Sequence, residues 1–129
     1  MKHFAMAILA FAFYSAASQA AVTSLTVTSA TLSNSTGAIT VTGTIVCTTG
    51  DLFVVETNII QVSGGRSGFT TGLLIMDICS GSVDTWVAPQ TVKFGSIKDD
   101  SAGVATEAID ITDGAIVEKA SYQPVTSVP

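Results

Sequence analysis

Apolar and hydroxyl side chains alternate residue by residue through the segment 38–48, AITVTGTIVCT. One face of this segment holds Ile39, Val41, Gly43, Ile45 and Cys47. Thr40, Thr42, Thr44 and Thr48 lie on the other face, together with Ala38 and Val46. Because successive side chains of a strand point to opposite faces, this period of two predicts an antiparallel strand with one buried face.

Six further segments have the same strand character and are separated by polar or glycine-rich turns. They are residues 22–32, 52–62, 69–79, 85–94, 104–111 and 115–122. Asp113-Gly114 between the last two is a hairpin turn signal. No segment has a convincing amphipathic helical pattern. Many short strands joined by such turns predict an all-β fold, an antiparallel β-sandwich of seven to eight strands.

The N-terminal residues 1–20 predict a secretory signal peptide, with an early lysine, a short apolar stretch and small residues before the cleavage site. The mature chain is then one domain over residues 21–122, followed by a flexible tail over 123–129. No later segment approaches twenty apolar residues, so no transmembrane segment is expected in the mature chain. The expected location is the extracellular space, the cell surface or the periplasm.

Cleavage of the leader changes the charge and removes the only histidine, His3. It leaves four basic residues against ten carboxylates, a net charge of −6. Nucleic-acid binding needs clustered lysine and arginine, which four scattered bases do not supply. We therefore expect no nucleic-acid partner.

Cys47 and Cys79 are the only cysteines. In an exported protein an isolated pair predicts one disulfide. A structural zinc site needs four ligands, and the mature chain has no histidine to complete one. The spacing also differs from the C-x-x-C motif of redox-active pairs.

The segment 37–103, about half the chain, resembles an uncharacterised family of small secreted bacterial Ig-like domains. The residues that carry the resemblance are Gly43, Cys47, Gly50, Gln61, Cys79, Gly81 and Trp86. The resemblance implies an Ig-like sandwich with one disulfide and implies no activity. The antibody pattern fits less well, because Trp86 follows the second cysteine instead of lying between the two.

No group of residues has the pattern of a catalytic centre. Serine and threonine are frequent, but no histidine remains to activate one as a nucleophile. The acid pairs are Asp99 with Asp100, Asp110 with Asp113, and Asp77 with Asp84. We interpret them as solvated turn residues, with the loop Asp99-Asp100-Ser101 a minor candidate for calcium. The expectation is a protein that is not an enzyme and has no cofactor or metal.

Two function classes remain open. In the first, the protein is structural or adhesive and assembles with itself or another surface protein, in a fibre for example, by adding its N-terminal strand to a neighbouring sheet. The candidate strand-exchange residues are Leu25, Val27 and Leu32. In the second, the loops 63–68 and 98–103 bind a ligand or inhibit a partner. The candidate loop contacts are Arg66, Lys98, Asp99 and Asp100.

Overall fold

The computed structural model describes residues 22–63 and 66–129, which form seven β-strands. The strands are β1 (Val22–Ser33), β2 (Ile39–Cys47), β3 (Leu52–Ser63), β4 (Arg66–Ile78), β5 (Asp84–Gly95), β6 (Ser101–Asp110) and β7 (Ile116–Val128). The all-β prediction is confirmed. Within the described residues, no helix has the length and apolar content needed to cross a membrane.

The alternation in β2 is borne out position by position. Its five apolar-face residues are buried and the threonines between them are half-buried. β1 pairs with β2, and hydroxyl groups bond across this ladder from Thr26 to Thr44 and from Ser29 to Thr42. Hydroxyl groups on the threonine face of β2 therefore have hydrogen-bond partners on β1, which is rich in threonine and serine.

Trp86 of β5 is the largest fully buried side chain. It lies opposite Gly43 of β2, and its indole N–H donates to the carbonyl of Thr44 at 3.1 Å. A Cβ atom at Gly43 would overlap both the indole ring and the carbonyl of Thr26. The lack of a side chain at Gly43, on the buried face of β2, therefore leaves the space that the tryptophan ring occupies.

The strands form one closed ring in the order β1-β2-β5-β4-β3-β6-β7. The predicted Ig-like sandwich is therefore wrong, because ladders join the strands into a seven-stranded barrel. Two short junctions close it. Residues 68–72 of β4 pair with residues 90–95 of β5, and residues 30–33 of β1 pair in parallel with residues 125–128 of β7. β5 thus pairs with β2 through its first half and with β4 through its second.

The end of the chain is also more ordered than the sequence predicts. Of residues 123–129, expected to be a flexible tail, 123–128 complete β7, and Val125 is buried in the core. Val125 donates its backbone N–H to the carbonyl of Asp100 at 2.9 Å. The ladder to β1 supplies backbone partners that a proline- and serine-bearing sequence does not reveal.

Candidate functional site

The predicted disulfide between Cys47 and Cys79 is confirmed, with the two Cα atoms 5.5 Å apart. It joins the end of β2 to the residue that follows β4, two strands that share no ladder. The backbone of Cys79 also accepts from Gly50 N–H and donates to the Asp51 carbonyl, each at 2.8 Å. The bridge therefore fixes one end of the barrel.

The candidate strand-exchange residues lie in β1, which is paired within its own chain. Leu25 is buried in the core, and Val27 and Leu32 pack against it partly buried. β1 pairs with β2 along its length, with irregularities around Thr23 and Thr28. The three residues thus face the barrel interior, and the part of β1 open to another chain is its backbone edge.

Four strand ends lack a second ladder partner in the described part of the chain, on β1 and β7 at one junction and on β4 and β5 at the other. Residues 22–29 of β1 pair with β2 but not with β7, whose ladder begins at Ala30. Residues 73–78 of β4 pair with β3, with an irregularity between Leu74 and Asp77, but not with β5, whose ladder ends at Gly72. On the β4 edge, Leu73, Met76 and Ile78 are exposed. Such edges can pair with another chain.

The loop of Lys98, Asp99 and Asp100 is held from inside the barrel. The buried amide of Gln61 accepts from Lys98 N–H at 2.7 Å and donates to the carbonyl oxygens of Lys98 and Asp100. The three predicted side chains are exposed, and Asp99 accepts from the Ser127 hydroxyl at 3.1 Å.

The other predicted loop lies at the same end of the barrel. Ser63 pairs with Arg66 in the β3–β4 hairpin, whereas the Arg66 side chain, Gly64 and Gly65 lie outside what the structure describes. The structure therefore brings both predicted loops to the end of β3. Residues 1–20, predicted as a signal peptide, likewise lie outside the described residues.

Between these loops an uncharged row crosses the outer surface of five neighbouring strands, and we call it the outer apolar row. It consists of Tyr122, Gly103, Ile60, Phe69 and Phe94, each facing the next across a ladder. The side chain of Tyr122 is 87% exposed, and the rings of Phe69 and Phe94 stack with centroids 5.6 Å apart. At Gly103 a Cβ would meet only the Ile60 carbonyl, at 3.6 Å. In the sequence, the segment 52–62, LFVVETNIIQV, carries apolar residues on both faces, and this is the signal for the surface.

Three carboxylates from two turns meet beside the disulfide, and we call them the acid triad. Asp51 precedes β3, Asp110 ends β6 and Asp113 lies in the β6–β7 turn; one oxygen of each lies within 4.8 Å of the others. Asp110 Oδ1 accepts from Asp113 N–H at 3.2 Å. Burial raises the pKa of Asp110 to about 6, and a hydrogen bond shared with the Asp51 carboxyl adds to the rise.

The sequence pointed to only part of this triad. Asp110 and Asp113 stand together in one turn, but Asp51 comes from a turn far earlier in the chain. Ladder pairing of Phe53 with Asp110, and the bond from Ile111 N–H to the Leu52 carbonyl, place the two turns side by side. Only the β3–β6 register shows that Asp51 lies beside Asp110 and Asp113.

The remaining acids have local partners or like-charged neighbours. Asp77, which lies in β4 and not in a turn, accepts at Oδ1 from Ile78 N–H, and Asp84 at the start of β5 accepts at Oδ2 from Ser80 N–H. On the outer face, Glu118, Glu107 and Glu56 form a row across β7, β6 and β3. Burial raises the pKa of Glu107, and the charges of Glu118 and Glu56 raise it further.

Comparison with known proteins finds no family model that matches the chain and no match to a curated protein. The function is therefore argued from the surfaces and side chains described above.

Proposed function

We propose that the protein is exported and non-catalytic, and that it acts as a structural subunit that assembles with copies of itself by strand pairing. The observation that carries the proposal is the pair of open edges, residues 22–29 of β1 and residues 73–78 of β4. A second copy is the occupant that we infer for each edge. The disulfide supports an oxidising compartment.

Of the four strand ends at the two junctions, those of β1 and β4 have the composition that best suits pairing between copies. Natural sheets protect edges with charged residues or proline. β5 carries Asp84 and Pro89, and β7 carries Glu118 and Lys119. By contrast, β1 has no charged residue and residues 73–78 have one, Asp77.

The length of the β1 edge is sufficient for a ladder. The irregularities around Thr23 and Thr28 leave residues 24–27 as the regular stretch of β1. That is four residues, as many as form the parallel ladder that closes the barrel between β1 and β7. One acceptor in this stretch, the Val27 carbonyl, already receives the Gln123 side-chain N–H at 3.3 Å. The backbone of the stretch is otherwise without a β7 ladder.

The positions of the edges determine the form of the assembly. In the ring order, the β7–β1 junction and the β5–β4 junction are separated by three strands on one side and four on the other. The two edges therefore lie on opposite sides of the barrel. A contact between two different patches is heterologous, and it extends into a filament unless its rotation closes a ring.

Replacing Met76 with lysine tests this assembly. The change places a charge on the β4 edge at a side chain that is 53% exposed, so the fold is expected to tolerate it. We expect sedimentation velocity at about 0.15 M salt, which screens the net charge, to show concentration-dependent oligomers for the unchanged protein and a monomer for Met76→Lys. Ile60→Lys adds the same charge at a side chain that is 50% exposed, on a strand that is paired on both sides, and this matched control is expected to assemble normally. A wild-type protein that stays monomeric at high concentration would refute the proposal.

The outer apolar row supports a second candidate function, a module that binds an apolar partner at the loop-bearing end. Contiguous exposed apolar surface marks interaction sites. Gly103 leaves a gap between Ile60 and Tyr122. Neither backbone conformation nor space demands a glycine at this position, because its φ is not positive and the Cβ position is open. The gap suits an aromatic or aliphatic side chain of a partner.

An aromatic probe tests this second candidate. With phenol as the probe, we expect amide chemical-shift changes in the NMR spectrum to concentrate at Ile60, Gly103 and Tyr122. Gly103→Val fills the gap and is expected to reduce these changes at least fivefold without lowering the Tm, since valine suits a strand better than glycine. Met76→Lys serves as the control and keeps the changes. Shifts scattered over the surface would count against a binding row.

A further inference from the structure

We propose that Asp51, Asp110 and Asp113 form a calcium-binding site at the disulfide-bearing end of the barrel. The proposal is independent of self-assembly and concerns a different end of the molecule from the outer apolar row. It also differs from the loop Asp99-Asp100-Ser101, which the sequence alone suggested for calcium.

The buried carboxylate of Asp110 is the first reason. The residue has no exposed surface, and its Oδ2 atom has no hydrogen-bond donor among the described residues. An unsatisfied carboxylate oxygen in the interior is costly. The Asp51 carboxyl lies within reach, but two carboxyl groups share a hydrogen bond only when one of them is protonated. A cation would satisfy both carboxylates in their charged forms.

The charge balance of the triad is the second reason. The charged groups that act on Asp110 are the carboxylates of Asp51 and Asp113, and both have the same sign of charge as Asp110. No described basic side chain is among them. Three carboxylates held together without a counter-charge repel one another. A divalent cation reverses the sign of that interaction.

The geometry of the triad fits the size of calcium. Calcium takes oxygen ligands at about 2.3–2.6 Å, so two oxygens bound to one ion can be up to about 5 Å apart. The triad oxygens lie within 4.8 Å of one another. Magnesium binds at about 2.0–2.1 Å and demands a near-ideal octahedron, so it tolerates a narrower spread. Calcium sites also use water, and the exposed side of Asp113 leaves room for it.

The fold holds the three ligands by their backbones. Asp51 donates its N–H to the Thr48 carbonyl at 3.0 Å, and its own carbonyl accepts from Cys79. Gly114 N–H donates to the Asp110 carbonyl at 2.7 Å and closes the turn that carries Asp113. Because these bonds fix the turns before any ion binds, little chain ordering accompanies binding.

Thermal unfolding with added calcium chloride tests the site. Sites in extracellular modules bind calcium with a Kd of about 0.1–1 mM. At about 10 mM calcium chloride we expect the Tm of the full protein at neutral pH to rise by roughly 5–15 °C. Isothermal titration calorimetry should show one site per chain. Sodium chloride at the same ionic strength should give a much smaller rise, and magnesium chloride a smaller one than calcium.

Three variants decide which carboxylates bind. Asp110→Asn replaces a carboxylate oxygen with an amide that can donate to Asp51, so it should keep the fold and lose the calcium response. Asp113→Asn preserves the oxygen that accepts from Ala115 N–H and should weaken binding about tenfold or more. Glu56→Gln removes the same charge from the glutamate row and should leave the response intact.

The contrary results are equally clear. An unchanged Tm and no calorimetric heat in the folded wild-type protein would overturn the proposal and leave a proton shared by Asp51 and Asp110. A calcium response in Asp110→Asn and Asp113→Asn equal to that of the wild-type protein would place binding elsewhere and overturn the proposal. Loss of the response in Glu56→Gln would assign it to the glutamate row.

Discussion

Replacing Trp86 with alanine is expected to lower the free energy of unfolding by about 3–5 kcal/mol, the cost of removing a fully buried large aromatic side chain. Trp86 is 1% exposed and packs over Gly43 in a space that no side chain from β2 enters. Neighbouring backbone cannot close the cavity, because the β2–β5 ladder fixes the separation of the strands. For a domain of this size the Tm should fall by roughly 15–25 °C.

Chemical denaturation followed by far-UV circular dichroism measures this loss, since Trp86 is the only tryptophan and its removal abolishes the tryptophan fluorescence. Trp86→Phe is the matched control. It keeps an aromatic ring but leaves the Thr44 carbonyl without the indole N–H, and we expect a smaller loss of about 1–2 kcal/mol. A loss below about 1 kcal/mol for the alanine variant would contradict the assignment of Trp86 to the core.

Periodicity and chemistry in the sequence predicted the local structure of the barrel well. The alternation of residues 39–47 gave the correct buried face, and the isolated cysteines gave the correct disulfide. Both inferences depend on neighbours in sequence or on elimination. They need no knowledge of which strand lies beside which.

Barrel closure depends on contacts that no periodicity encodes. At the β4–β5 junction, Gln90 lies against Gly72, and its amide donates to Thr57 and accepts from Thr70, both fully buried. In the sequence these are one glutamine and two threonines on different strands. The hydrogen bonds between these three side chains form only when the ring closes. The sequence alone therefore could not distinguish a barrel from a sandwich.

The candidate sites show the same division. β1 was a candidate for strand exchange in the sequence because it is one continuous segment that follows the predicted signal peptide. The β4 edge was missed, because residues 73–78 have the sequence of an ordinary buried strand until the point where β5 diverges is known. Asp51 was missed for an equivalent reason. Its partners Asp110 and Asp113 come much later in the chain, and only the β3–β6 ladder places their turn beside Asp51.

Removal of the disulfide is expected to cost about 4 kcal/mol, the loop-closure value for two cysteines separated by 32 positions. The estimate rests on the entropy of the unfolded chain. The folded state adds a local effect, because the bridge spans β2 and β4 where β5 no longer pairs with β4. Opening of this end would expose the bonds from Gly50 and Cys79, which hydrogen exchange can follow separately from global unfolding.

The measurement compares the Cys47→Ala/Cys79→Ala double variant with the oxidised protein, and each of them with and without reductant. Reductant should lower the Tm of the wild type and leave the double variant unchanged. Because Asp51 is tied through its carbonyl to Cys79, the reduced protein should also show faster exchange at Asp51 and a weaker calcium response. Equal stability of the oxidised wild type and the double variant would mean that β-ladder pairing alone holds this end of the barrel. In that case the acid triad would have to be positioned by the β3–β6 ladder and not by the bridge.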